Sequence, residues 1–392
     1  MKIYRKSMLK LFMLTVVYII ICLVIISDLF DIRVTALSFT SWISKSKQIT
    51  PFHNATMTTD FRSAQSVDNK DGLRNLAKEI RLNREQKERE YYSPRKTKVN
   101  QIEAKFLING AQICNTDAEY MTILVIVPSL PSHFYVRDAI RSTYGSYVKE
   151  KISLQYIGAN FSVFIRLAFL IGKDCKHDYE ASLRNESMRN KDIIFADFYE
   201  SYSNLTRKML IAFHWINLFC SDVDFVMKVD EDVFVNIPKL GFELHKRPFD
   251  KQGSIYGYIY RSSRVHRVGK WAVPRDVFPL NQYPDYAAGN SYVISGNIIP
   301  RLLSVSEYLP YMSIEDAYIT GCLAKIIDAK RVFVPGFTYY FDGEPNPCTF
   351  VRNKRISATK VTIGSMEGLW KACTAYKDYC SFRYQKQLKR PG

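Results

Sequence analysis

With 392 residues, 47% hydrophobic and 14% aromatic, the chain is too apolar to be mainly disordered. It is long enough for one large or two ordinary domains. Its 55 Lys and Arg against 38 Asp and Glu give a net charge of +17, which suggests anionic partners: nucleic acid, a membrane surface or phosphorylated substrates. The first 30 residues argue against nucleic acid, because they are expected to carry the bulk of the chain across a membrane.

Residues 1–10 contain Lys2, Arg5, Lys6 and Lys10 and no acid. Leu11–Ser27 carries no charge, and Leu29 and Phe30 extend the apolar run. At ~1.5 Å per residue such a run crosses most of a ~30 Å hydrocarbon core. The basic flank favours a cytoplasmic tail at 1–10, an anchor at 11–30 and a lumenal remainder. A cleaved signal peptide is the alternative, with VTALS at 34–38 as its nearest cleavage site. The short span suits early secretory membranes.

Of the eight cysteines, Cys22 lies in the anchor. The other seven would face an oxidising lumen. None forms a CxxC pair and no His lies beside them, so a zinc site is not expected. Seven is odd, so one stays unpaired or bonds a second chain, which leaves a homodimer open. Acceptor sequons stand at Asn54, Asn160, Asn185 and Asn204.

Residues 31–118 read as a lumenal stem: a mixed-charge stretch, RNLAKEIRLNREQKERE, suits a solvated helix, and Pro94 breaks the basic segment after it. The globular part is expected at 119–392. Met121–Val127 is a continuous apolar strand, the mark of a sheet covered on both faces. A helix over 137–144, strands over 161–170 and 192–196, a helix over 204–219 and a strand over 224–229 follow. This alternation argues an α/β fold with a mostly parallel sheet. Ligands then bind at the carboxyl ends of the strands, which points to the residues just after DFVMKV.

Asp230, Glu231 and Asp232 stand there. In an extended segment residues i and i+2 share a face, so Asp230 and Asp232 would converge while Glu231 points away. Two converging carboxylates repel, and a divalent cation relieves this; oxygen ligands favour Mg²⁺ or Mn²⁺. Such an ion would bridge to a diphosphate. The bland reading is a polar turn after a strand. A phosphatase using Asp230 as nucleophile is a more distant alternative, since that motif belongs near the first strand of its domain. Further on, Ile319, Cys322, Leu323 and Ile326 fall on one helical face, with Ser313 as N-cap and Asp316 three residues later. Asp316 is thus a capping acid or a proton acceptor. A helix N-terminus favours its ionised form, and Glu315 beside it pushes the other way.

Several blocks in order resemble the Golgi β-1,3-glycosyltransferases: RDAIRSTYG (137–145), FLIG (169–172), DFYESYSNLTRKM (197–209), VDEDVFVN (229–236), KWAVPRDVFPLNQYPDYAAGNSYVIS (270–295) and EDAYITGCL (315–323). The resemblance implies a GT-A type, Rossmann-like fold behind a single transmembrane helix and a stem, in the Golgi membrane. It implies inverting transfer of a hexose, galactose favoured, from a UDP-sugar to a 3-hydroxyl of a glycoprotein or glycolipid glycan. Asp230 and Asp232 would hold Mn²⁺ on the diphosphate, and Asp316, with Glu315 beside it, would deprotonate the acceptor. Arg137, Arg141, Lys208 and Glu231 would contact the nucleotide. Trp271, Tyr286 and Gly289 would meet acceptor or sugar, since aromatic faces suit hexose C–H faces and glycine admits close approach; for any one ring, core packing is the alternative.

The chain departs from the family pattern at Ala287-Ala288-Gly289-Asn290-Ser291, where two glycines and a Cys are commonly found. The lost Cys offers a reason for the odd count. Some GT-A enzymes use a later His as a further metal ligand, but the last His here is His266. An N-acetylhexosamine donor and a catalytically inactive glycan-binding relative are the alternatives.

Overall fold

The computed structural model describes residues 61–114, 120–149, 152–156, 159–247, 250–374 and 380. The expected tail and anchor, and Asn54, lie outside them, as does the side chain of Asn160. No helix among the described residues is long and apolar enough to cross a membrane. The chain divides into two compact units, Met1–Arg74 and Asn75–Gly392. Among its described residues the first holds only the start of the helix Phe61–Tyr92.

The second unit is an α/β domain. Its strands are β1 (Phe106–Ile108), β2 (Met121–Pro128), β3 (Ile152–Tyr156), β4 (Ala159–Lys173), β5 (Ile193–Tyr199), β6 (Phe225–Val229), β7 (Phe234–Val235), β8 (Ser254–Tyr260), β9 (Tyr286–Ser295), β10 (Lys330–Phe333) and β11 (Ser357–Ala358). The main sheet runs β1-β5-β4-β2-β6-β9-β8-β10, with β3 beside β4. Its heart, β5-β4-β2-β6, is parallel. β9 then pairs antiparallel with both β6 and β8, and β10 is parallel to β8. β7 and β11 form a separate two-stranded ladder.

Alternation along β2 explains the layering. Leu124 and Ile126 join the core under helices Leu205–Phe219 and Ile299–Ser306. Ile123, Val125 and Val127 join the core on the other face, under Phe134–Ser142, Ile237–His245 and Ile363–Thr374. Both faces are covered, as a parallel sheet requires.

The second compact unit starts at Asn75, so it takes in residues before 119. Tyr91 is buried edge-on against Phe278, with ring centroids 4.8 Å apart. β1 pairs with β5, and Cys114 forms a disulfide with Cys220. The charged stretch before Tyr91 is helical and exposed, as its composition suggested. The expected helix 137–144 runs instead from Phe134 to Ser142, and the strand 161–170 from Ala159 to Lys173. A second disulfide joins Cys348 and Cys380, and Cys175, Cys322 and Cys373 are free among the described residues. Asn185 is exposed, and Asn204 Nδ2 donates to Tyr199 O at 2.9 Å.

Candidate active site

β6 ends in a turn. Val233 N donates to Asp230 O at 3.1 Å, so the acidic triplet is not the extended segment expected from its spacing. The turn still divides the triplet in the expected way. Asp230 and Asp232 line a cavity of about 630 Å³, and Glu231 does not. Glu231 Oε1 instead pairs with His133 Nδ1. Desolvation and the neighbouring charge of Asp230 push the Asp232 carboxyl above its ordinary range.

Lys228 is the residue that motif reading missed. It sits inside the apolar strand β6 with its side chain 1% exposed. Its Nζ donates to Asp230 Oδ1 at 2.6 Å and to Gly289 O, and lies 3.7 Å from Glu315 Oε2. Burial alone would lower its pKa, but Asp230 and Glu315 outweigh burial and raise it. One buried ammonium therefore ties the first acidic site to the second. The available signal was a lysine in the middle of a strand otherwise reading FVMKV.

Asp316 is itself the cap residue of the helical stretch that follows, a place the sequence reading gave to Ser313. The following residues, Ala317–Leu323, form a π-helical stretch. Asp316 Oδ1 accepts from Ala317 N at 2.8 Å. This bond and the nearby backbone amide of Gly289 favour the ionised form, but burial outweighs them and the net shift is upward, against the expectation from the helix end alone. Thr320 Oγ1 donates to Asp316 O at 2.6 Å and accepts from Ala287 N at 2.9 Å, which locks this turn onto β9. Glu315 is buried and accepts from the Tyr292 hydroxyl at 2.5 Å; burial pushes its carboxyl up to about 7.

The register of β9 on β6 brings these pieces together. Val229 faces Ser291, and Asp230 N donates to Asn290 O at 3.0 Å. Gly289 and Asn290 thus line the same cavity as Asp230, Asp232, Glu315 and Asp316. Asn290 Oδ1 is buried with no partner among the described residues, so a hydrogen-bond acceptor stands ready in the wall.

Trp271 and Tyr286 line the cavity. Trp271 Nε1 donates to the Tyr202 hydroxyl at 3.1 Å, and its ring meets Tyr340 edge-on with centroids 5.1 Å apart. Tyr202, Tyr340 and Phe341 are exposed in the same wall and were not singled out in the sequence, because aromatic residues are too common in this chain to mark a site alone.

The residues expected at the nucleotide are placed differently. Arg137 is fully buried; its guanidinium bonds Glu186 twice, Ser129 Oγ, and the carbonyls of Leu130 and Pro131. Arg141 is spent on Asp138, Glu186 and Asp192. Lys208 Nζ donates to Ser129 O at 2.8 Å and Glu200 Oε1 at 2.6 Å, and its burial lowers its pKa. None lines the cavity. Arg137 and Lys208 hold the 129–131 loop at the carboxyl end of β2 in shape.

No cluster of three or more His, Cys, Asp or Glu with metal-binding geometry occurs among the described residues. The donor set at Asp230 and Asp232 nevertheless fits a hard cation of the Mg²⁺ or Mn²⁺ kind. Such ions are held by one or two carboxylates, with phosphate and water oxygens completing the shell. His266 also lines the cavity, between the two acidic sites in the chain.

A family model described as galactosyltransferase matches residues 135–335. Lactosylceramide 1,3-N-acetyl-beta-D-glucosaminyltransferase B of Xenopus laevis is 30% identical over 280 residues, which is 69% of this chain and 70% of its own. Beta-1,3-galactosyltransferase 1 of Mus musculus is 32% identical over 231 residues, 58% of this chain and 67% of its own. The solved structure of the galactosyltransferase LgtC aligns with 68% of this chain and 100% of its own at 10% identity and a TM-score of 0.34. With two acidic sites sharing one cavity inside the matched span, the chain belongs to the galactosyltransferase family and is a glycosyltransferase of the β-1,3 type.

Proposed function

We propose that the chain transfers a hexose from a UDP-sugar to a 3-hydroxyl of a glycan on a glycoprotein or glycolipid, with inversion at the anomeric carbon. The observation that carries this reading is the convergence of Asp316 with Asp230 and Asp232 in one cavity. The Asp316 carboxylate accepts the proton of the acceptor hydroxyl. The freed oxygen attacks the anomeric carbon, the bond from that carbon to the diphosphate breaks, and UDP leaves with the electron pair. A Mn²⁺ ion on Asp230 and Asp232, when bound, supplies charge neutralisation for that leaving group. Lys228 holds Asp230 and Glu315 in register while this happens. Trp271 and Tyr286 offer ring faces to the sugars, and Asn290 Oδ1 accepts a sugar hydroxyl.

Galactose is the first donor to test and N-acetylglucosamine the second, because relatives of both names have similar identity. The retained glycine supports an active enzyme over an inactive relative: Gly289 is where a side chain would strike Asp316. The two disulfides, the exposed sequon at Asn185 and the uncharged run at 11–27 behind four basic residues support a type II protein of the Golgi membrane. The experiment is a panel of UDP-sugars with the purified full chain, reading acceptor-dependent UDP release with Mn²⁺ and with EDTA. Metal-dependent release from one UDP-hexose supports the proposal. Release from none of them, with a range of terminal-hexose acceptors, contradicts it.

A further inference from the structure

The ladder of β11 on β7 places one more cation beside the acidic turn. Ala358 pairs with Phe234 and Ser357 with Val235, so the chain leaving β11 runs straight past Asp232. Val361 N donates to Asp232 O at 2.8 Å, and the backbone amide of Lys360 favours the ionised form of the Asp232 carboxyl. Lys360 lines the same cavity as Asp230 and Asp232. Its φ of +61° is left-handed, a conformation costly for a lysine and typical of positions held for function.

The two lysines of this cavity end have different neighbours. Lys228 is matched to the carboxylates of Asp230 and Glu315. Lys360 Nζ rests on neutral groups: the carbonyls of Tyr340 at 3.0 Å and Asp342 at 3.5 Å, and the Tyr340 ring, whose centroid is 5.2 Å away. Among the described residues no carboxylate is within ion-pair distance of it. A divalent ion on two aspartates leaves no charge to spare, so the charge of a diphosphate at this spot must be met by something else. A long, flexible ammonium side chain rooted beside Asp232 answers that need.

We infer that Lys360 binds the diphosphate of the donor nucleotide, as a second cation next to the one held by Asp230 and Asp232. This rests on the UDP-sugar reading above. Its role is electrostatic: Nζ leaves the Tyr340 carbonyl and donates to phosphate oxygens, in the ground state and as UDP departs.

Titration calorimetry of UDP and UMP into the full chain, with Mn²⁺ and with EDTA, tests this. Lys360→Met keeps the side-chain length and the left-handed strain but removes the charge; Lys360→Arg keeps the charge. The wild type should bind UDP more tightly than UMP even in EDTA. Lys360→Met should weaken UDP about tenfold or more in both conditions and leave UMP within about twofold. Lys360→Arg should recover most of the loss. Unchanged UDP affinity in Lys360→Met, with and without Mn²⁺, overturns the assignment of Lys360 while leaving the donor reading intact. A wild type that binds UDP in neither condition overturns the donor reading, and the inference with it.

Discussion

Gly289 and Asp316 are packed so closely that a Cβ on residue 289 would stand 2.8 Å from Asp316 Oδ2 and 3.1 Å from its Cγ. The glycine also gives its carbonyl to Lys228. Position 289 thus sets the orientation of the proposed base. Gly289→Ala should turn the Asp316 carboxylate and lower turnover at least ~10-fold, since small misplacements of a reacting group are costly. UDP affinity should stay within about threefold. Steady-state kinetics together with calorimetry check this, and a normal turnover number would show that Asp316 needs no such seat.

Lys228 is the buried link between the acidic sites. Lys228→Met leaves Asp230 and Glu315 without their counter-charge. Breaking a buried pair from one side costs about 3–5 kcal/mol. Thermal unfolding should drop by several degrees, and turnover should be lost. Lys228→Arg should recover stability only in part, because a planar guanidinium does not reproduce the contacts of a compact ammonium with Asp230 and Gly289 O.

The turn at Asp230–Val233 separates three neighbouring acids. Asp230→Asn and Asp232→Asn should each abolish Mn²⁺-dependent turnover. Glu231→Gln should cost much less, because that side chain pairs with His133 outside the cavity. Turnover measured over a Mn²⁺ series distinguishes them. Equal losses at Glu231 and Asp232 would contradict the division.

Glu315 gives a pH signature. Burial raises its carboxyl from 4.5 to about 7 in the folded chain. Between those values the folded state keeps a proton that the unfolded chain has lost. Its contribution to stability is therefore fully present below about pH 4.5 and is lost as pH rises through about 7. Glu315→Gln removes this titration. In EDTA, the melting temperature of the wild type should fall relative to Glu315→Gln as pH rises from 4.5 to 7.5. Parallel curves would place the Glu315 titration elsewhere.

Much of this site was legible because strong local patterns survive folding. The apolar run at 121–127 could only be a doubly covered strand, and the acids after β6 stood where parallel sheets bind ligands. Asp230 and Asp232 line the cavity and Glu231 does not, and a turn, not an extended segment, separates them. What escaped depends on contacts far apart in sequence. The packing of Tyr91, β1 and Cys114 is an example: they are anchored by residues that lie much later in the chain. Only the fold shows the carboxylates and carbonyls that Arg137 and Lys208 bond. The same holds for Lys360, whose place beside Asp232 comes from the pairing of β7 with β11.

The central claim is that Asp316 takes the acceptor proton, and its most direct test is Asp316→Asn. The amide keeps the size of the side chain and an oxygen to accept from Ala317 N. Stability should therefore change by no more than about 1 kcal/mol. The proton acceptor, however, is gone. Turnover should fall ~10²–10⁴-fold, while UDP affinity in Mn²⁺ stays within about threefold. Near-normal turnover with slightly lower thermal stability would make Asp316 a helix cap and would contradict the account.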